Sequence, residues 1–286
     1  MSTDSNRSAL DEGDLRRTLV RTDRDEDPTR FWRRLDVVSE TGSTNADLLA
    51  RVASAESAEW ETDRHVLVAE FQGSGRGRHS RTWVSPPRAQ IAVSVALCMP
   101  GMGLDRLGWL PLMTGVAVVD ALREVAGVPA ELKWPNDILI GGRKVAGILA
   151  EVAQVGPEPI VVVGIGLNVS LVEDELPVPT ATSLLLENAS TTDRTVLVSA
   201  MLDRIAERWT QWHDSAWSVA GVAESYRQCC GTLGRRVRAE LPGDKELLGT
   251  ATDVDAQGRI VISPDTGAEP IAVSAADITH LRAVTR

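Results

Sequence analysis

The stretch Gly73-Ser74-Gly75-Arg76-Gly77-Arg78-His79-Ser80-Arg81-Thr82-Trp83 interleaves glycines with arginines. Glycine lets backbone amides come close to a ligand, and arginine forks clamp carboxylate or phosphate, so the composition is that of an anion-binding loop. It is not a phosphate loop of the Gly-Lys-Ser or Gly-Lys-Thr kind. It is not a dinucleotide fingerprint either, because a strand rather than a helix follows it. On composition alone, a solvated surface loop and a nucleic-acid contact stay open as readings.

The flanking patterns place this loop in an α+β chain. Residues 65–71 and 90–97 read as strands on either side of it. Upstream, Ser43-Thr44-Asn45-Ala46-Asp47 reads as a helix start near Asn45, with a capping box from Thr44 to Asp47. Downstream, apolar residues at helical spacing predict a helix over 107–126. Short strands are expected at 131–134, 138–140, 145–152 and 160–169, with Gly141-Gly142 as a tight turn. A second long helix is expected over 194–217. After Gly231 short strands alternate with turns, the texture of a small antiparallel barrel of about 50 residues. Three segments follow: a charged tail over 1–30, flexible or at most a short helix over 10–20, then 31–230, then 231–286.

Bulk properties narrow the function classes. A formal charge of −10 argues against wholesale nucleic-acid binding, which needs a basic footprint. No apolar run reaches the roughly 20 residues that span a bilayer, and residues 2–34 lack the apolar core of a signal peptide, so the expected compartment is the cytosol. Cys98 stands alone and Cys229 and Cys230 are adjacent, which is neither metal-ligand spacing nor a disulfide framework. No metal site is expected from the protein's own side chains.

Of 30 basic residues only three are lysines, Lys133, Lys144 and Lys245. Biased codon usage would produce the same scarcity, yet two of the three fall in Lys133-Trp134-Pro135-Asn136-Asp137 and Arg143-Lys144-Val145-Ala146-Gly147-Ile148-Leu149. An ammonium suits a reaction in which negative charge builds on a phosphate. A simple hairpin register puts Lys133 opposite residue 150, six residues or roughly 20 Å from Lys144, so spacing alone does not join them. A break at Pro135 would fold Asn136 and Asp137 inward. Ser43 and Thr44 are good helix caps that would equally well bind a polar head group. Gly164-Ile165-Gly166-Leu167-Asn168 ends an apolar strand with two small positions and an amide.

Jointly, Ser43 to Asn45, Gln72 to Trp83, Lys133 to Asp137, Arg143 to Leu149 and Gly164 to Asn168 resemble biotin protein ligases in content, order and spacing. The resemblance covers about 31–286 and implies a class II synthetase-like catalytic domain, a central mixed β-sheet with helices, plus a small C-terminal SH3-like barrel. The family's repressor members carry an N-terminal DNA-binding domain for which residues 1–30 are too short, so the resemblance is to the ligase-only type. It implies ATP with Mg2+ as co-substrates, biotin as substrate and a biotin carboxyl carrier protein domain as partner. By position, Ser43, Thr44, Asn45, Gln72, Gly75, Arg76, Gly77, Arg78, Lys144, Gly147, Gly164 and Gly166 would bind biotin. Arg78, Arg81, Trp83, Lys133, Asn136 and Asn168 would bind ATP or the adenylate, with Lys133, Arg78, Lys144 and Asp137 taking part in catalysis.

One departure lies in the loop: Ser80 stands where the family commonly has glycine, and serine disfavours positive φ. Ser80→Gly is expected to slow leakage of the adenylate. A lipoate or octanoate ligase of the same superfamily, and a non-enzymatic ligand-binding module, are the competing expectations.

Overall fold

Along residues 90–98, Gln90, Ala92, Ser94 and Ala96 alternate with Ile91, Val93, Val95 and Leu97, so a strand here shows small side chains to one side and large ones to the other. The computed structural model describes residues 7–21, 30–54, 62–78, 81–241, 243, 245–274 and 277–280. Its first elements are α1 (Glu12–Leu19), β1 (Arg34–Val38), α2 (Thr44–Ser54), β2 (His65–Ala69), β3 (Gly75–Arg76), β4 (Thr82–Trp83) and β5 (Gln90–Cys98). Then come α3 (Trp109–Val125), β6 (Glu131–Lys133), β7 (Asp137–Ile140), β8 (Arg143–Gln154), β9 (Ile160–Asn168), α4 (Arg194–Asp214) and α5 (Val219–Cys229). The chain finishes with β10 (Arg236–Leu241), β11 (Lys245–Val254), β12 (Ile260–Pro264), β13 (Ile271–Val273) and β14 (Asp277–His280).

The central sheet has seven strands in the order β1-β2-β5-β9-β8-β7-β6. Only β1 and β2 run parallel, so it is the mixed sheet expected. Every position of β2 and β5 is buried, because helices cover both faces. Ile91, Val93, Val95, Leu97, Val163 and Ile165 join the main core with α3 and α4, whereas Leu67, Ala96 and Val162 pack under Leu48 of α2. The second sheet is antiparallel, in the order β13-β12-β11-β10-β14. Its 255–258 turn is fastened to the start of α3 and to the residue after β6 through two tryptophans. Trp109 Nε1 donates to Ala256 O at 2.9 Å and Trp134 Nε1 to Gly258 O at 3.0 Å, while Trp134 N donates to Thr232 Oγ1 at 3.0 Å.

Three expectations need correcting. Residues 7–21 are no free tail: the short helix left open over 10–20 forms as α1, capped by Asp11, and Leu10, Leu15 and Leu19 are buried in the main core. The tail composition hid three apolar residues at near-helical spacing. The cap of α2 is Ser43, whose Oγ accepts from Ala46 N at 3.4 Å, and Asp47 takes the Thr41 hydroxyl instead of closing a box. The long helix stops at Asp214, since Ala216 and Trp217 adopt φ of 54° and 60°, and the separate α5 follows.

A charged cluster fixes α2 on the sheet. Asp36 of β1 lies 2.8 Å from Arg51 of α2 and 3.0 Å from His65 of β2. Burial pulls the Asp36 carboxyl upward, but hydrogen bonds from Arg34, Arg51 and His65 outweigh it and hold it at about 2. Burial pushes the His65 imidazole down against the pull of Asp36. Both folded values lie below the unfolded ones, so both contributions are complete at neutral pH. The His65 contribution should be lost as pH falls below 6.5, and that of Asp36 as pH falls from 3.8 toward 2. Urea titrations from pH 7.5 to 5 should therefore show stability declining in the parent chain and a shallower decline in His65→Gln. Leu15→Ala should cost ~2–5 kcal/mol by the same method, as for a buried leucine rather than one in a tail.

Candidate active site

Small residues on the α2 side of the sheet make a floor. Cross-strand pairing lines up Ala92, Gly166 and Gly147 in one row and Ser94, Gly164 and Leu149 in the next. Trp83 lies across the first row: a Cβ at Gly166 would stand 2.6 Å from its ring, and one at Gly147 would stand 3.4 Å away. Asn45 lies on the second, where a Cβ at Gly164 would strike its amide. Gly166 and Gly164 are therefore required by close approach of a side chain to the sheet.

A buried hydrogen-bond network supports the floor from the α2 end. Gln72 Oε1 accepts from Thr44 N at 2.8 Å and from Thr44 Oγ1 at 3.0 Å. Ser94 Oγ lies 2.7 Å from Thr44 Oγ1 and 2.6 Å from Asn45 Oδ1, and Asn45 Nδ2 donates to Leu149 O at 3.1 Å and Glu151 Oε2 at 2.8 Å. Ser43, Thr44, Asn45, Gln72 and Ser94 are all buried. Buried polar groups of this kind are held in place by the cost of leaving any of them unpaired.

The loop that opens the site is a hairpin at its neck, with Gly75 opposite Trp83 and Arg76 opposite Thr82. Gly77 N donates to Arg81 O at 2.7 Å, closing the next step. His79 and Ser80 lie outside the described residues. Trp83 Nε1 donates to Gln90 Oε1, so the indole is fixed at its polar end as well as by the floor. Arg78 Nη1 reaches Asn136 Oδ1 at 3.5 Å, whereas Arg76 and Arg81 are exposed.

The two lysines meet, which corrects the register read from spacing. The chain reverses at Trp134-Pro135-Asn136, so Lys133 pairs across the ladder with Asp137, and Asp137 pairs with Gly147. Asn136 braces this reversal: its Nδ2 donates to Ile148 O at 2.8 Å, and Ile148 N donates to Asn136 O at 2.9 Å. Asp137 then lies 2.5 Å from Lys144 Nζ and 3.8 Å from Lys133 Nζ. Lys144 Nζ also stands 5.4 Å from the centre of the Trp83 ring, a cation–π distance. Asn168 Nδ2 donates to Thr182 O at 2.9 Å and fastens the 180–182 segment that pairs with Lys144. Sequence reasoning missed Gln90 and Ser94. Their signal was polarity on the small side of a strand whose other side is wholly apolar.

Two family models match the chain: the biotin/lipoate A/B protein ligase family over residues 41–168 and the biotin protein ligase C-terminal domain over 232–281. The biotin–[acetyl-CoA-carboxylase] ligase of Mycobacterium tuberculosis is 45% identical over 279 residues, 96% of this chain and 97% of that protein. The chain belongs to the biotin protein ligase family. Among solved structures, the Aquifex aeolicus biotin protein ligase in complex with biotin and ATP superposes with a TM-score of 0.71 at 25% identity, over 87% of this chain and all of that one. The bifunctional ligase/repressor BirA of Escherichia coli is 28% identical over 225 residues, 78% of this ligase and 67% of its own length.

Gly166→Ala puts a methyl group into the Trp83 ring. The variant should fold normally, as read by circular dichroism, while KM for biotin and ATP rises by roughly tenfold or more, the pattern of lost ground-state binding.

Proposed function

We propose that this ligase condenses biotin with ATP to biotinyl-5'-AMP and passes the biotinyl group to a lysine of a biotin carboxyl carrier protein domain. The observation that carries this reading is the convergence of Lys133, Lys144 and Asp137 beside a glycine floor covered by Trp83. A biotin carboxylate oxygen attacks the α-phosphorus of ATP, the bond to pyrophosphate breaks, and a mixed anhydride results. The neutral amine of the carrier lysine then attacks the acyl carbon, AMP leaves, and the amine gives up a proton.

Lys144 is matched to the biotin carboxylate and the charge that develops on phosphorus, and Lys133 with Arg78 to the phosphates. Fixed positive charge aimed at developing negative charge is the most effective contribution a side chain makes here, and holding both reactants together adds to it. Thr44, Asn45 and Gln72 are already held in one network through Ser94, so they would offer a preformed polar end to the biotin ring. Gly75, Gly147 and Gly166 let Trp83 and Lys144 lie close to the backbone, and Trp83 would stack at the ligand's edge. Asn136 and Asn168 serve as braces of the lysine reversal and of the 180–182 segment.

Magnesium commonly uses one or two protein carboxylates plus substrate phosphates, and Asp137 is a carboxylate in place to take that part. Among the described residues no three His, Cys, Asp or Glu side chains come together as a metal site, so the triphosphate would supply most of the oxygens. When bound, the ion would neutralise charge on the leaving pyrophosphate. The same reading assigns 31–230 to catalysis, 231–286 to a C-terminal domain and the chain to the cytoplasm. No helix among the described residues is long and apolar enough to cross a membrane.

Incubation with ATP, biotin and a biotin carrier domain should add one biotinyl mass to the carrier, and pyrophosphate exchange should occur with biotin and stay at background with lipoate. Lys144→Ala should lower biotin-dependent exchange by ~100-fold, the scale of removing one group that stabilises transition-state charge. Exchange retained in that variant would show the lysine to be incidental.

A further inference from the structure

The segment from Arg7 to Asp11 runs across the root of the arginine-glycine loop, outside the stretches that the family models match. The two ends of that loop are linked by a bond from Arg88 N to Glu70 O at 2.9 Å and, more deeply, through Arg194, which is ion-paired with Glu70. Arg194 Nη2 lies 2.5 Å from Glu70 Oε2 on the entering side, and Arg194 Nη1 donates to Gln90 O at 3.4 Å on the leaving side. Their side chains are 5% and 11% exposed, so each charge needs every partner it can find. The N-terminal segment supplies those partners: Ser8 O accepts from Arg194 Nη2 at 2.6 Å, and Leu10 N donates to Glu70 Oε1 at 2.7 Å. Asp11 N donates to Thr195 Oγ1 at 3.0 Å, and Leu10 is buried in the core.

Arg7 extends the same segment to the far side of the site. Its Nη2 donates to Ser170 O at 3.0 Å and pairs with Glu175 at 2.5 Å, just beyond the end of β9. Ser170 N in turn donates to Ala89 O at 2.9 Å, immediately before Gln90. Gln90 is the residue whose side chain anchors the Trp83 indole. A continuous set of contacts therefore leads from Arg7, Ser8 and Leu10, through Glu70, Arg194 and Ala89, to Gln90 and Trp83.

We infer that residues 7–10 are a positioning element for the arginine-glycine loop: they fix its root, and through Gln90 they set where Trp83 lies over the glycine floor. The segment is not among the residues proposed to meet biotin or ATP. Its effect is on substrate binding and loop order, and the inference about binding rests on the ligase activity proposed above.

Arg7→Ala, Arg7→Lys and a chain lacking residues 1–10 test it. In pyrophosphate exchange, Arg7→Ala and the truncated chain should raise KM for biotin by roughly tenfold while kcat stays within about threefold, a split that a simple loss of folded protein does not give. Arg7→Lys, which keeps the charge beside Glu175, should recover most of the difference. Trypsin supplies a readout that needs no activity, because Arg76, Arg78 and Arg81 are its own cleavage sites. With biotin and ATP present, cleavage in the loop should be severalfold faster in Arg7→Ala than in the parent. If Arg7→Ala lowers the melting temperature, Glu175→Gln breaks the same ion pair from the other side and should give the same KM shift. Parent-like KM and parent-like loop cleavage in Arg7→Ala and the truncated chain would overturn the inference. So would a fall in kcat that tracks the folded fraction while KM stays at the parent value. A parent chain that exchanges no pyrophosphate with biotin would count against the proposed function, while the cleavage rates would still decide the role of the segment.

Discussion

A sheet buried on both faces can receive a substrate only where its side chains are small enough to let something other than a helix lie on it. In this ligase that constraint falls on two rows, Ala92-Gly166-Gly147 and Ser94-Gly164-Leu149. Their neighbours on the opposite face, Ile91, Val93, Val95, Val163 and Ile165, are as large as the core behind them requires. The alternation is what permits one strand to serve packing and binding together. Everything else at the site is arranged around the floor that results. Trp83 lies on one row and Asn45, at the start of α2, on the other.

The lysine hairpin obeys a related rule. Two ammonium groups close together repel unless a carboxylate lies between them, and Asp137 fills that place. Asn136 and Ile148 exchange backbone and side-chain hydrogen bonds beside it, so the reversal is held by paired polar groups rather than by the charges alone. An anionic ligand that displaced Asp137 from Lys144 would find the ammonium already in position, with little side-chain entropy left to lose.

Much of this was readable from composition and spacing, and the failures have definite physical causes. The sheet strands, the tight Gly141-Gly142 turn and the loop at Gly73 to Trp83 followed from periodicity and turn residues, which are local properties. The meeting of Lys133 and Lys144 did not, because a plain hairpin register knows nothing of a reversal at Trp134 to Asn136. The role of residues 7–21 was hidden because three leucines among many charges look like a tail until Trp32 and α4 are present to bury them. Ser94 and Gln90 carried a signal that was passed over: polar side chains in an otherwise apolar strand need partners, and the partners lie more than 40 residues away for Ser94 and at the loop's end for Gln90.

The fastening of the 255–258 turn onto Trp109 and Trp134 has a thermodynamic corollary. Trp134 follows Lys133 directly, and its indole and amide both hydrogen-bond to the C-terminal region. Detaching the C-terminal region from Thr232 onward would leave two buried donors of that residue without these partners, each a loss on the order of 1–3 kcal/mol. The C-terminal region and the lysine hairpin are thereby coupled, each adding to the cost of opening the other. Slow amide exchange would be shared across both, although they are separate in sequence and belong to different sheets.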